Sequence, residues 1–217
     1  MKEFSILSVS IINLIIGLRY CILIYRKKTK PALAMWVFFS IAVGMSLITY
    51  MSEGDFSLWD NILNTTDLLL VTTVAAFIYF FGDKSSKFTR FDKGCLLGVI
   101  TITALWLITK THVTTHIIIQ GIMIISYFPV IKRLWNSREN TEPYSVWILL
   151  MVAPVFSLLS SKGTLATIYS VRAIISTGIL LLLMVKVEYY NTISDKSIRL
   201  IIHLRNNTIR NKKLFKN

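Results

Sequence analysis

Seven stretches of this chain are long and apolar enough to cross a lipid bilayer, roughly Phe4–Tyr25, Ala32–Met51, Leu58–Phe81, Lys93–Thr109, Val113–Leu134, Tyr144–Ser161 and Leu165–Val187. A helix needs about 20 mostly apolar residues to span a hydrocarbon layer of about 30 Å. With 54% apolar and only 16% charged side chains, and a mean hydropathy of +0.61, the chain is too apolar for a water-soluble domain. Lipid offers no hydrogen-bond partner to a bare backbone amide, and these runs are continuous instead of alternating, so the segments are expected to be helices and not barrel strands. Pro31 and Pro143 fall near two helix starts, where a missing amide does little harm.

A net charge of +13 would fit nucleic acid, but the distribution of the bases argues against it. Arg26, Lys27, Lys28 and Lys30 follow the first span, whereas Glu53, Asp55 and Asp60 follow the second. Lys84, Lys87, Arg90 and Lys93 lie in the third loop, Lys132, Arg133 and Arg138 in the fifth, and eight more bases follow from Lys186. That places 19 of the 24 bases on one side, with Lys2, Lys110 and Lys162 on the other and Arg19 and Arg172 within spans. The positive-inside rule then expects a cell-membrane protein with its amino terminus outside and its carboxy terminus cytoplasmic. Cys21 and Cys95 both fall near expected cytoplasmic span ends, so no structural disulfide is expected. The first apolar segment lacks a small-residue cleavage site and reads as a retained helix.

The chain also repeats itself. Asn13 and Tyr20 match Gln120 and Tyr127 at an offset of 107 residues, and Thr29-x-Pro31 matches Thr141-x-Pro143 at 112. Trp36, Ala42, Ser46 and Leu47 match Trp147, Ala153, Ser157 and Leu158 at 111, and Ser52-Glu53-Gly54 matches Ser161-Lys162-Gly163 at 109. The expected architecture is therefore an all-α membrane protein of seven transmembrane helices in a 3+1+3 arrangement. A first three-helix repeat covers 1–92, a linker helix 93–110, a second repeat 111–187 and a basic tail 188–217. Because the linker reverses the chain once more, the two three-helix bundles run parallel, as in carriers that move small molecules by alternating access.

On these features the chain resembles the SWEET and PQ-loop superfamily of seven-helix carriers. Lys28-Thr29-Lys30-Pro31 with Trp36, and Pro129-x-x-Lys132-x-x-Trp135 with Glu142-Pro143 and Trp147, look like a set of bacterial PQ-loop-like membrane proteins. Nicotinamide riboside carriers share the three-one-three plan. Of the family's Pro-Gln pair, Phe128-Pro129-Val130 keeps the proline and Tyr20-Cys21-Ile22 keeps neither residue. The resemblance implies a cavity between the third helices of the two halves, with an asparagine on each contacting a sugar. Here Asn61 aligns with Arg172, so a ligand of such a pocket is expected to be anionic or zwitterionic.

Ionisable groups inside a span cost about 2.5 to 3.5 kcal/mol on insertion scales, so Asp67 and Arg172 require a reason. Each is expected about 10 to 14 Å below the outer boundary at the helical rise. They form the polar wall of a solute cavity, a structural ion pair that fixes helix register, or two charges with separate partners. Asn61, Asn64 and Asp67 recur every three residues along the third span, and Tyr169 shares a face with Arg172 and Ser176. His116, Gln120 and Tyr127 form a second stripe, repeated in part by Asn13 and Tyr20. Gln120 and Asn13 either contact solute or, by preference, glue helices together. His116 either couples transport to protons by titrating near neutral pH or, by preference, is an ordinary solvated histidine at the outer interface. Trp36 and Trp147 lie where indoles anchor helices to headgroups; a sharper alternative makes them, with Tyr20 and Tyr127, an inner gate. Arg19 is expected to snorkel without a role.

The expected substrate-binding set is thus Asn61, Asn64, Asp67, Arg172, Tyr169, Gln120 and Asn13, with Tyr20, Trp36, Tyr127 and Trp147 as gate. No constellation for catalysis, cofactor or metal stands out. The expected function is facilitative or ion-coupled transport of a small polar metabolite; the alternative is a non-transporting subunit or sensor that docks a partner through its basic loops and tail. The tail should lie on anionic lipid, each base contributing about 1 kcal/mol. A homo-oligomer is compatible with either reading, and nucleic acid with neither.

Overall fold

In the computed structural model the chain is built from helices alone among the described residues, which are 1–82, 89–109, 112–137, 140 and 142–214. Side chains at 95, 99, 102, 103, 106, 107, 112, 137 and beyond 190 are not among them. The expectations for Lys84, Lys87, Cys95, Lys110, Arg138, Thr141 and the basic tail therefore lie outside the described residues, except that the tail's backbone is helical to Leu214. The elements are α1 (Lys2–Tyr25), α2 (Leu33–Ser52), a 3-10 turn (Leu58–Asn61), α3 (Ile62–Phe81), α4 (Arg90–Thr109), α5 (His112–Ile125), α6 (Phe128–Ser137), α7 (Tyr144–Ser157) and α8 (Gly163–Leu214).

Helix α1 shows the solvent for which the fold is built. Its buried positions include Ser5, Asn13 and Tyr20, whereas Leu7, Ile11, Leu14, Leu18 and Ile22 are exposed. Polar groups share the buried face with Val9, Ile16 and Ile24, while large aliphatic groups cover the outer face, which a helix packed in water does not allow. Five segments are long and apolar enough to cross a membrane: Lys2–Tyr25, Leu33–Ser52, Leu58–Phe81, Val113–Asn136 and Gly163–Tyr190. Helix α7 is apolar but has only 14 residues, ending at Ser157 where the sequence led us to expect Ser161. Helix α4, the expected linker, is a 20-residue helix outside those five and touches α2 and α5.

The expected fifth span is broken. After Ile125 the chain turns at Ser126 and Tyr127 and resumes as α6, with Tyr127 N–H donating to the Ile124 carbonyl at 3.1 Å. Pro129, two residues on, has no N–H for the Ile125 carbonyl, and its ring crowds that turn. The break turns the Tyr127 ring inward, edge-on to Phe39 at 5.0 Å.

Packing orders the helices. Helix α3 lies between α1 and α2, and α8 contacts α7 on one side and α5 and α6 on the other. Between these groups, α1 lies on α7 and α2 lies on α5. At the end where α1 starts, the Ser5 hydroxyl donates to the Phe156 carbonyl (2.7 Å) and meets the Ser160 hydroxyl (2.7 Å). There too, Lys162 N–H donates to the Asp60 carbonyl (3.1 Å), and the Tyr50 hydroxyl donates to the Lys162 carbonyl (2.9 Å). Asp60 is also bound by Lys2 at 2.6 Å.

Gly163 opens α8 with φ +80° and lies against the Phe56 ring, which a Cβ would approach to 3.2 Å. Gly163→Ala should therefore lower stability by about 1 to 2 kcal/mol. Gly121→Ala, in mid-helix with open space around the new methyl, should raise it by about 0.5 to 1 kcal/mol. Thermal unfolding of the two variants in the same detergent checks both signs.

Candidate functional site

Helices α3 and α8 carry the two charges that most need explaining, and they enter one internal cavity. The cavity has a volume of about 40 Å³, enough for one to three water molecules at about 10 to 15 Å³ each. Asp67 and Arg172 line it together with Tyr169, and Trp36, Phe39, Tyr127 and Trp147 complete an aromatic wall. Both charges reach this one space.

They do not pair. Asp67 Oδ2 accepts from the Tyr169 hydroxyl at 2.8 Å, and Oδ1 accepts from Asn13 Nδ2 at 2.8 Å. Arg172 donates from Nε to Gln120 Oε1 at 3.1 Å and lies 4.9 Å from the centre of the Tyr169 ring. No ion pair joins Asp67 to Arg172 among the described residues. The structural ion pair expected as one alternative is thus replaced by two charges solvated separately by neutral side chains from α1, α5 and α8. Arg172 also borders an apolar groove on the outer side of α8, lined by Ile124, Val171 and Ile175.

Behind Gln120 lies a dry polar network. Gln120 Nε2 is 3.0 Å from His116 Nε2 and 3.3 Å from the Ser46 hydroxyl, and His116 Nδ1 is 3.2 Å from Thr49 Oγ1. With Gln120 as donor, the imidazole is assigned the Nδ1–H tautomer. His116 is fully buried, which corrects the expectation of a solvated interfacial residue. Asn64 joins the same network. Turned to satisfy its amide, it donates to the Val43 carbonyl (3.0 Å) and accepts from Leu47 N–H (3.2 Å) and the Ser46 hydroxyl (3.0 Å).

Two further corrections follow. Asn61 precedes α3 and caps it, accepting from Asn64 N–H at 3.4 Å, and neither Asn61 nor Asn64 lines the cavity. Three-residue steps advance 300° around a helix, so Asn61 and Asp67 lie about 120° apart and face different neighbours. Trp36 and Trp147 are buried at 2% and 1% exposure, which rules out headgroup anchoring; among the described side chains Trp59 and Trp135 are the exposed indoles.

At the other end of the cavity, the Tyr20 and Trp36 rings lie tilted at 5.1 Å, and those of Tyr127 and Trp147 at 6.1 Å. The repeat thus places its matching Tyr–Trp pairs together. Sequence reasoning treated Glu142 only as part of a motif, yet it joins them: its Oε2 accepts from the Tyr20 hydroxyl at 2.6 Å and from Trp147 Nε1 at 3.3 Å. Beside it Arg19, expected to snorkel freely, donates from Nε to the Ser145 hydroxyl at 2.6 Å. The buried carboxyl of Glu142, in the loop before α7, is pushed up to about 7 by desolvation, against the pull of Tyr20, Arg133 and Trp147. Its place beside Pro143 at the start of α7 was visible in the sequence, but its partner Tyr20, 122 residues away, was not.

Pro154 interrupts α7 from within and borders the cavity with Leu150. It has no N–H to offer the Leu150 carbonyl one turn earlier.

The fold and the cavity together define an all-helical protein whose several apolar helices fit multi-pass insertion in a membrane. Comparison of the chain with protein-family models, with curated proteins and with solved structures finds no match in any of the three.

Removing the Tyr169 hydroxyl leaves one Asp67 oxygen without a donor. Tyr169→Phe should cost about 1 to 3 kcal/mol, whereas Tyr25→Phe, at an exposed ring, should be neutral; thermal unfolding separates the two.

Proposed function

We propose that the chain carries a small polar metabolite across the membrane, with its solute between two three-helix bundles that rock about the cavity. The observation that carries this reading is the pair of half-buried opposite charges, each held by neutral groups, that share one cavity without touching. A pair kept only for stability gains most from direct contact, because desolvation is offset by Coulomb attraction only at close range. Charges held apart across a space suit a solute that bridges them, with a cationic group toward Asp67 and an anionic group toward Arg172. A zwitterion or an anion with a donor group fits, and the aromatic wall of Trp36, Phe39, Tyr127 and Trp147 would take its flat or apolar body.

The helix order supports the 3+1+3 plan. Exchanging the halves turns the α1–α7 contact into the contact between α5 and α2, and both are present. It also exchanges Tyr20 and Trp36 for Tyr127 and Trp147, the two tilted ring pairs. Hydrogen bonds tie the two halves at either end, through Ser5, Tyr50 and Lys162 at one and through Tyr20 and Glu142 at the other, and in this reading they are the two seals of the cavity. Closure at both ends is the occluded stage of alternating access, and solute entry requires one seal to part. On the expected orientation the Glu142 end faces the cytoplasm. The resemblance to the SWEET and PQ-loop carriers points the same way. In this reading Asp67, Arg172, Tyr169, Gln120 and Asn13 form the binding region, Tyr20, Trp36, Tyr127 and Trp147 its inner gate, and Asn61 and Asn64 support α3.

A thermal-shift screen of zwitterionic and anionic metabolites on the purified protein tests the proposal. A solute at about 100 times its dissociation constant should stabilise the parent by about 2.7 kcal/mol, and Asp67→Asn and Arg172→Gln should each reduce that shift to less than half. A solute that stabilises the parent and both variants equally would overturn the site. If zwitterions and anions give no shift while a cytoplasmic protein binds the basic loops, the docking-platform reading replaces it.

A further inference from the structure

Glu142 is the most enclosed acidic side chain outside the apolar spans, at 3% exposure, and its two oxygens are treated differently. Oε2 accepts two hydrogen bonds, from the Tyr20 hydroxyl and Trp147 Nε1. Oε1 is buried without a hydrogen-bond partner. An ionised carboxylate shares its charge between both oxygens, so this arrangement would strand half of the charge on an atom with no donor. A neutral carboxyl fits better: Oε2 is the carbonyl oxygen, which accepts twice, and Oε1 bears the proton and leaves only an uncharged hydroxyl.

The position of this group gives its protonation a consequence. Glu142 belongs to the loop between α6 and α7, whereas Tyr20 belongs to α1. The Tyr20–Glu142 bond therefore ties the first half of the chain to the second at one mouth of the cavity. The groups that face the carboxyl from the surrounding elements are Tyr20 of α1, Arg133 of α6 and Trp147 of α7. One layer out, Arg19 binds Ser145, and Tyr144 faces Glu188 of α8.

We propose that Glu142 is a proton-binding site that seals this mouth: with the proton on Oε1 the carboxyl holds α1 to α7, and loss of the proton lets the two part. The ligand is the proton alone, and the release step is simple. The O–H bond of the neutral carboxyl breaks, the proton leaves to water, and the resulting carboxylate gains the hydration that the closed mouth denies it. Burial holds the carboxyl up at about 7 in the closed form, whereas a water-exposed glutamate titrates near its ordinary value of about 4.3. The closed form thus binds more protons than the open form between those values, so acidification through that window favours closure and rising pH favours opening. The inference builds on the two-bundle reading of the fold but requires no solute.

The test uses the full-length chain in lipid nanodiscs, with Cys21 and Cys95 replaced by serine and spin labels at Tyr25→Cys of α1 and Ile148→Cys of α7, both exposed positions. In this parent, electron–electron distances should show one short population at about pH 5.5 and a second, longer by several Å, at about pH 8.5, interchanging near neutrality. Glu142→Gln, which cannot ionise, should keep the short population at both values. Distances in the parent that do not change with pH would overturn the proposal, as would a Glu142→Gln protein that opens with pH as the parent does. Infrared difference spectra of the parent between the same two pH values give an independent reading that needs no variant to fold. A carboxyl stretch lost at high pH is expected, and its absence would also overturn the proposal. Since no solute is present, failure here leaves the carrier reading standing, and failure of solute binding leaves this one standing.

Discussion

Asp67 is held from both halves of the molecule at once: Asn13 reaches it from α1 and Tyr169 from α8, each at 2.8 Å. In lipid, a buried charge finds no compensation outside the protein, so whichever helices supply its donors are obliged to stay together. That requirement fixes the register of α3 between its neighbours. It also sets the depth at which Tyr169 stands on α8, and Arg172, one turn on, then faces Gln120. From Gln120 the requirement passes to Ser46 and His116, so five helices are linked through Asp67, Arg172 and the neutral polar groups that hold them. The aromatic wall packs where these groups leave off.

The two mouths of the cavity are closed by different chemistry. Near Ser5 the bonds across the halves run between hydroxyls, amides and backbone carbonyls, none of which changes charge near neutral pH. Near Tyr20 the bond across the halves ends on a carboxyl. A molecule with one neutral and one ionisable seal does not treat its two sides alike, even though its sequence repeats.

What could be read from the sequence, and what could not, divides along the range of the interactions. Helices, their polarity and the common level of Asp67 and Arg172 follow from local runs and the helical rise, because both are properties of one segment. The pairing of Tyr20 with Trp36 and of Tyr127 with Trp147 was legible through the repeat. His116, Asn61 and Asn64 were not. Whether a side chain meets lipid, water or another helix depends on a partner such as Thr49 or Ser46, which lies far away in sequence, and on an angular drift that a three-residue spacing conceals. Glu142 was hidden for the same reason, since Tyr20 lies 122 residues before it. The break between α5 and α6 could have been read from Pro129, but only the tertiary contact with Phe39 shows where Tyr127 then points.

Pro154 adds something that no side chain supplies. By withholding an amide from the Leu150 carbonyl within a helix that borders the cavity, it releases that main-chain oxygen from the helical ladder. An acceptor of this kind survives any replacement at position 150, since every amino acid brings the same carbonyl. Drift in the flanking side chains can therefore reshape the chamber without abolishing that contact, and only loss of the imino acid four residues later would remove it.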